Sequence, residues 1–401
     1  MSGAGAVRRQ GGLTGGTRAV GGWVTPPPAY QVARLFAGIE EYAATATRLH
    51  PRRGSPDPRG SHVGGPLRWP AGEPWPTCAA EHVVATEVPL PPRLVSRLER
   101  LRAAEPARRW PGYQAVLSEL ASQAPGFGGI DRRTRTALYR VTRPQPVPSP
   151  LVAVAQLRAA DLPDLRPPGG ADLLQVLWCP NDHDLGDGAL APAAVLRWRH
   201  EAEVPDVLDR PPAPTAIGHP AYLPRPCVLH PEQVVEYPWW QQLPADLGHR
   251  VRAWDAQHAG RYHRQLAAAP GWKVGGWPQW PTTDPLPLYC PACGTPRRQL
   301  LQLDSGEWGD PARWRPLPGP APAATPTPAA DPRGGSSPGT DPRSDHGAPD
   351  PGSGPDGDPA TADDLAAPEP TGVIAGHTGL YRIFTCPSCP GAADQWHIDL
   401  Q

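Results

Sequence analysis

Apolar positions recur along this chain with two periods, and they place the regular elements. After Pro26, Pro27 and Pro28, the residues Val32, Leu35, Phe36, Ile39 and Tyr42 fall on one face at helical spacing. That is the pattern of an amphipathic helix laid on a core. Residues 92–104 repeat it, with Leu94, Leu98 and Leu101 on the inner face and Arg93, Arg97, Arg100 and Arg102 on the outer one. A further helix is expected over 245–266, on Leu247, Val251, Trp254, Tyr262 and Leu266. Short apolar or alternating runs at 47–49, 151–157, 173–178 and 195–199 read as strands. Residues 203–240 are proline-rich and read as an extended connector.

The pattern then returns. Val274, Gly275, Gly276, Trp280 and Pro281 match Val63, Gly64, Gly65, Trp69 and Pro70 in register. Cys290 answers Cys78, Gln302 and Leu303 answer Gln156 and Leu157, and the run 380–385 before Cys386 answers 173–178 before Cys179. A shared order of features predicts an internal duplication. The expected fold is therefore α+β: two pseudo-symmetric β-rich lobes, mainly antiparallel, with flanking helices. The expected organisation is a disordered tail over 1–28, a first repeat over 29–202, a connector and helix over 203–270, and a second repeat over 271–401. The Pro, Ala, Gly, Asp and Thr tract at 315–372 has nothing to bury and reads as a disordered insert in that second repeat. The Gly-Gly pairs lead into Pro or Trp-Pro, without the Lys or Ser/Thr of a phosphate loop. They read as backbone kinks that let a Trp pack over the sheet, with a ligand loop as the lesser alternative.

Composition changes this picture only a little. The chain has 60 Pro and 43 Gly, and Lys273 is its only lysine among many arginines, a bias that resembles a GC-rich genome. Part of the Pro and Gly excess therefore carries no structural message. A formal net charge of −1 argues against charge-driven coating of nucleic acid or membranes. No apolar run is long enough to span a bilayer or to form a signal core, so a soluble protein of the reducing cytoplasm, with no membrane partner, is expected. Charge is nonetheless uneven. Residues 91–140 carry ten Arg against Glu99, Glu105, Glu119 and Asp131, whereas 331–370 carry nine acids against Arg333 and Arg343. Such runs are ordinarily solvated faces. The sharper alternative is that the acidic insert folds over the basic arm or mimics an acidic partner.

The cysteines carry the chemistry. Cys290 and Cys293 form one Cys-x-x-Cys pair, followed by Gly294, and Cys386 and Cys389 form another, followed by Pro390 and Gly391. Two such knuckles supply four sulfurs and suit a tetrahedral structural zinc. A thioredoxin-like role would need a helix after the pair, and the Gly and Pro residues there spoil one. In the first repeat Cys78 and His82, then Cys179 and His183, offer a Cys₂His₂ zinc site at slightly longer spacing. The alternative is a decayed site with buried cysteines and surface histidines. Glu81, Asp182 and Asp184 lie near enough in sequence to orient those histidines. Cys227, near His230, reads as a plain buried thiol.

The set Gly275, Gly276, Cys290, Cys293, Leu301, Gln302, Phe384, Cys386, Cys389 and Trp396 resembles the bacterial YwqG family, which is largely of unknown function. It is also similar to the eukaryotic programmed cell death protein 2 family, whose members act as chaperones for a small-subunit ribosomal protein. The resemblance covers about 62–200 and 272–401 and implies two YwqG-like repeats. No nucleophile–base pair or carboxylate pair stands out. The expectation is thus a zinc-stabilised protein- or peptide-binding module, a dedicated chaperone or adaptor, holding a partner between its lobes. The alternatives are an RNA-binding factor using the 91–140 arm and, less favoured, a metal-dependent enzyme.

Overall fold

The computed structural model describes residues 18–19, 22–104, 111–129, 138–186, 189–309, 312–319, 368–374, 379–389 and 396–401. The protein is β-rich, and its described strand pairs are antiparallel. Two sheets dominate. In the first, the strands run in the order Leu190–Arg199, Leu173–Asp184, Val152–Arg158, His62–Val63, Cys227–Val228, Arg52–Arg53. In the second the order is Arg18–Ala19, Glu232–Glu236, Ala44–Arg48, Lys273–Gly275, Arg298–Asp304, Leu380–Thr385, Trp396–Leu400.

Four strands of each sheet follow the same order, and their polar residues occupy corresponding places. Gln156 pairs with His62 on one side and Gln175 on the other, and Gln302 pairs with Lys273 and Arg382. Gln156 donates to the carbonyls of Pro58 and Gly60, and Gln302 to those of Ala269 and Gly271. Each sheet also sets an arginine over a tryptophan, though from different strands: Arg199, on Leu190–Arg199, lies over Trp69 at 4.3 Å, and Arg382, on Leu380–Thr385, over Trp280 at 4.1 Å.

The sheets do not stand apart as lobes around a groove. Val63, Val154, Val176, Trp178 and Leu196 from the first share one core with Val274, Leu301, Leu303, Tyr381 and Ile383 from the second. The Tyr381 hydroxyl donates to the Pro192 carbonyl across the two sheets at 2.8 Å. The space expected to hold a partner is filled by this core.

Strand membership also crosses the sequence boundaries. Ala44–Arg48, inside the stretch 29–202, lies at the centre of the second sheet, and Cys227–Val228 from the connector lies in the first. Thr45 and Thr47 on the exchanged strand donate to Asp164, at 2.5 and 2.8 Å. The expected tail over 1–28 is structured in part: Arg18–Ala19 pairs with Glu232 and Gln233, Trp23–Val24 pairs with Leu317–Pro318, and Thr25 is buried on Glu232. The ends of the expected insert are likewise structured. Thr371 and Val373 are buried, and the chain there runs beside 221–227 through Arg225 N–H to Thr371 O. Residues 1–17 and 320–367 lie outside the described residues.

The helices follow their patterns with two amendments. The helix Pro92–Ala104 opens on a proline, whose missing N–H is no loss in the first turn, and buries Leu94 and Leu98. The expected helix over 245–266 stops at Gln257, turns through Ala259 and Gly260 at positive φ, and resumes as one turn at Tyr262–Leu266. The segment after the first prolines forms two short helical pieces, Val32–Leu35 and Ile39–Tyr42, broken by Gly38 at φ 92°. These pieces pack Val32, Phe36 and Ile39 on Leu247, Val251 and Tyr262.

Beneath them lies a set of buried charges. Lys273 donates to both oxygens of Glu236, at 2.7 and 2.9 Å, and to the Trp277 carbonyl at 2.8 Å. Glu236 also accepts from the backbone N–H groups of Ala269 and Trp277. His50 lies between Glu232 and Glu307, at 3.0 and 2.6 Å, and Arg52 also pairs with Glu307.

Candidate metal centres

Each of the two expected ligand sets is brought together. The ligand atoms of Cys290, Cys293, Cys386 and Cys389 all lie within 4.8 Å of one another, and so do those of Cys78, His82, Cys179 and His183. Both clusters can hold a metal ion. Bonds of about 2.3 Å to sulfur and 2.0–2.1 Å to nitrogen separate tetrahedral ligands by roughly 3.4–3.8 Å. The contacts match: Cys290 to Cys389 is 3.7 Å and Cys293 to Cys386 is 3.5 Å. In the other cluster His82 Nε2 is 3.4 Å from both Cys78 Sγ and Cys179 Sγ, and Cys78 Sγ is 3.7 Å from His183 Nε2.

Local chain geometry explains the four-sulfur cluster. Cys290 takes a backbone bond from Gly294 N–H at 2.8 Å and gives one to Thr295 O at 2.9 Å, which closes the knuckle. Gly294 turns at φ 70°, a conformation glycine adopts without steric cost. The second knuckle follows the strand Leu380–Thr385, and Ser388 N–H donates to Cys386 Sγ at 3.4 Å. Hydrogen bonds from Thr295 pull the Cys293 thiol down to about 6, and backbone N–H groups of Ala292 and Cys293 lower Cys290. Cys389, hydrogen-bonded to Cys293, Cys386 and Cys290, is pushed up to about 12. Four sulfurs this close share their protons as one unit, and a cation would displace them.

In the Cys₂His₂ cluster, Cys78 ends the short strand Thr77–Cys78 and His82 follows a loop. Cys179 and His183 lie on Leu173–Asp184, Cys179 within a register shift between Trp178 and Asp182 and His183 just beyond it. That irregularity re-aims a strand whose strict alternation would place residues four apart in a straight row. Burial holds both imidazoles below their ordinary range, His183 further through His82, and so favours the neutral form that binds metal. Burial also pushes the Cys179 thiol up to about 11.

The supporting shell differs from the sequence expectation. Asp182 accepts from the Tyr222 hydroxyl at 2.5 Å, Asp184 accepts from Gly186 N–H, and Glu81 is exposed. The group that touches a ligand is Asn181, which donates to Cys179 Sγ at 3.4 Å and accepts from Gln145 at 2.7 Å. An asparagine next to a ligand cysteine is too common in turns for sequence to have marked it. Cys227 is fully buried, joins neither cluster, and lies 3.6 Å from the Pro370 carbonyl, with burial pushing its thiol up to about 12.

Among the described residues, no helix is long and apolar enough to cross a membrane. Neither a known protein family nor a curated protein matches this chain.

Proposed function

We propose that the chain is a zinc-stabilised protein- or peptide-binding module, a dedicated chaperone or adaptor, with one zinc at each cluster. The observation that carries this reading is the closure of both clusters. Each gathers four protein ligands, which fills a tetrahedral shell and leaves no position for substrate, as in structural rather than catalytic zinc sites. The matching strand order of the two sheets supports a duplication, and the cysteine and glycine signature supports kinship with YwqG-like proteins. With the sheets joined through one core, the partner binds an outer surface. Leu286 and Tyr289 are 52% and 60% exposed beside the four-sulfur knuckle and form the apolar part of that surface.

The test is affinity purification of the full chain against Leu286→Asp/Tyr289→Asp. A protein retained by the wild type and lost from the zinc-loaded variant supports the reading, and equal retention overturns this surface. The arginine arm supports a second reading, RNA binding: Arg93 is 67% exposed in a segment rich in arginine. RNA binding whose affinity falls steeply with salt would favour that reading.

A further inference from the structure

The described residues between 83 and 144 form an arm that folds on itself. Its strands Val83–Pro89, Leu138–Pro144 and Phe127–Gly129 make a separate sheet, in that order. Its helices, Pro92–Ala104 and Pro111–Gln123, close a core of Leu90, Leu94, Leu98, Val116 and Leu120 that is distinct from the core between the main sheets.

The arm joins the body at a narrow root. There Thr77–Cys78 pairs with Ser149–Pro150, Gln145 N–H donates to the His82 carbonyl at 2.9 Å, and buried Gln145 bonds Asn181. The ligands divide across this root. Cys78 and His82 belong to the chain that enters the arm, whereas Cys179 and His183 belong to a strand of the first main sheet. His82, one residue before the arm's first strand, is the ligand in contact with both cysteines.

We infer that a metal ion in the Cys₂His₂ cluster is a clamp: it cross-links the root of the arm to the first sheet and fixes the arm's orientation, while the arm's own core keeps it folded. This inference rests on the reading that the cluster binds zinc. Among the described residues, a two-residue ladder, one amide pair and the packing of Cys78 against Leu151 and Leu177 are otherwise a thin connection for a unit of this size. Occupancy of this cluster then governs how the arginine-bearing face of the arm is presented, independently of the four-sulfur cluster.

The test uses the full chain, with zinc counted by native mass spectrometry and amide exchange followed by peptide. With free zinc at about 100 times the dissociation constant, local opening is suppressed about 100-fold. Emptying this cluster alone, by substitution of one of its ligands, should therefore speed exchange at 76–82 and 145–151 by a factor of that order. Exchange within Pro92–Ala104 and within Val152–Arg158 should stay the same. His183→Ala, altered on the sheet side, and Cys78→Ser, altered on the arm side, should each lose one zinc and show the same local change.

Loss of one zinc with unchanged root exchange would overturn the clamp and leave the metal reading intact. Loss of protection throughout the arm helices would overturn the claim that the arm keeps its own fold. Equal zinc content in wild type and both variants would remove the metal reading itself, and the clamp with it.

Discussion

Replacing Lys273 by Met should be among the costliest single changes in the protein. Lys273 and Glu236 are both fully buried, and all three ammonium hydrogens are used, two on the carboxylate and one on the Trp277 carbonyl. Burial pushes the Lys273 pKa down, and Glu236 opposes that shift. With the ammonium gone, Glu236 keeps two backbone donors but remains an uncompensated charge in the core. Breaking one side of a buried pair costs about 3–5 kcal/mol, a large share of a usual net stability of about 5–15 kcal/mol. With a urea dependence near 3 kcal/mol/M, the midpoint should fall by about 1 M or more. Lys273→Met/Glu236→Gln, which removes both charges, should recover most of that loss. Lys273 is also the only lysine in the sequence, so an amine-reactive reagent should modify it only when the second sheet opens. An unchanged midpoint in the single variant, or rapid labelling of Lys273 itself in the native protein, would show that the pair contributes little.

Three further outcomes are expected. A Cβ on Gly276 would lie 2.3 Å from Glu236 Oε2 and 2.6 Å from Ala46 Cβ, at φ 68°, whereas Gly294 faces open space. Gly276→Ala should then cost about 3 kcal/mol or more and Gly294→Ala about 1–2 kcal/mol, which comparative thermal melts would order. Replacing 320–367 by a short Gly-Ser link should leave the melting temperature nearly unchanged, since loop length costs only about 0.6 kcal/mol per doubling. Extending that deletion over 368–374 should lower it, because Thr371 and Val373 are buried. Burial holds His62 down at about 4, so the folded state resists a proton that the unfolded chain accepts near pH 6.5. The stability present above that pH should be lost as pH falls towards 4, by at most about 1.4 kcal/mol per unit, and less so in His62→Gln. Parallel profiles for the two proteins would contradict this.

The strands and ligands were legible in sequence for a physical reason. Apolar runs such as 173–178 declare a buried strand, and Cys-x-x-Cys spacing declares a shared site wherever the chain later brings its parts. The helix 92–104 was legible because its leucines and arginines occupy opposite faces. The strand at 47–49 was legible, but its place in the second sheet was not, since a run of small and polar residues ending in Arg48 does not say which sheet it joins. Its burial follows from Glu232, pairing opposite it, and from Glu307, whose carbonyl accepts from Arg48. Lys273, Glu236 and Arg382 are likewise buried only because partners distant in sequence are placed beside them. The helix Pro111–Gln123 was missed because its apolar face is short and set among small residues.

With zinc in both clusters, as proposed, and the four-sulfur ion holding the two knuckles together, zinc content and thermal melting should change together. Structural zinc in small motifs is worth roughly 10–16 kcal/mol in apparent binding free energy, comparable to or above a domain's net stability. Purified protein should carry two zinc ions per chain. Cys290→Ser should lose one and leave the region around both knuckles protease-sensitive, and chelator should lower the melting temperature of the wild type. A metal-free protein that melts cooperatively, and unchanged in chelator, would contradict the account.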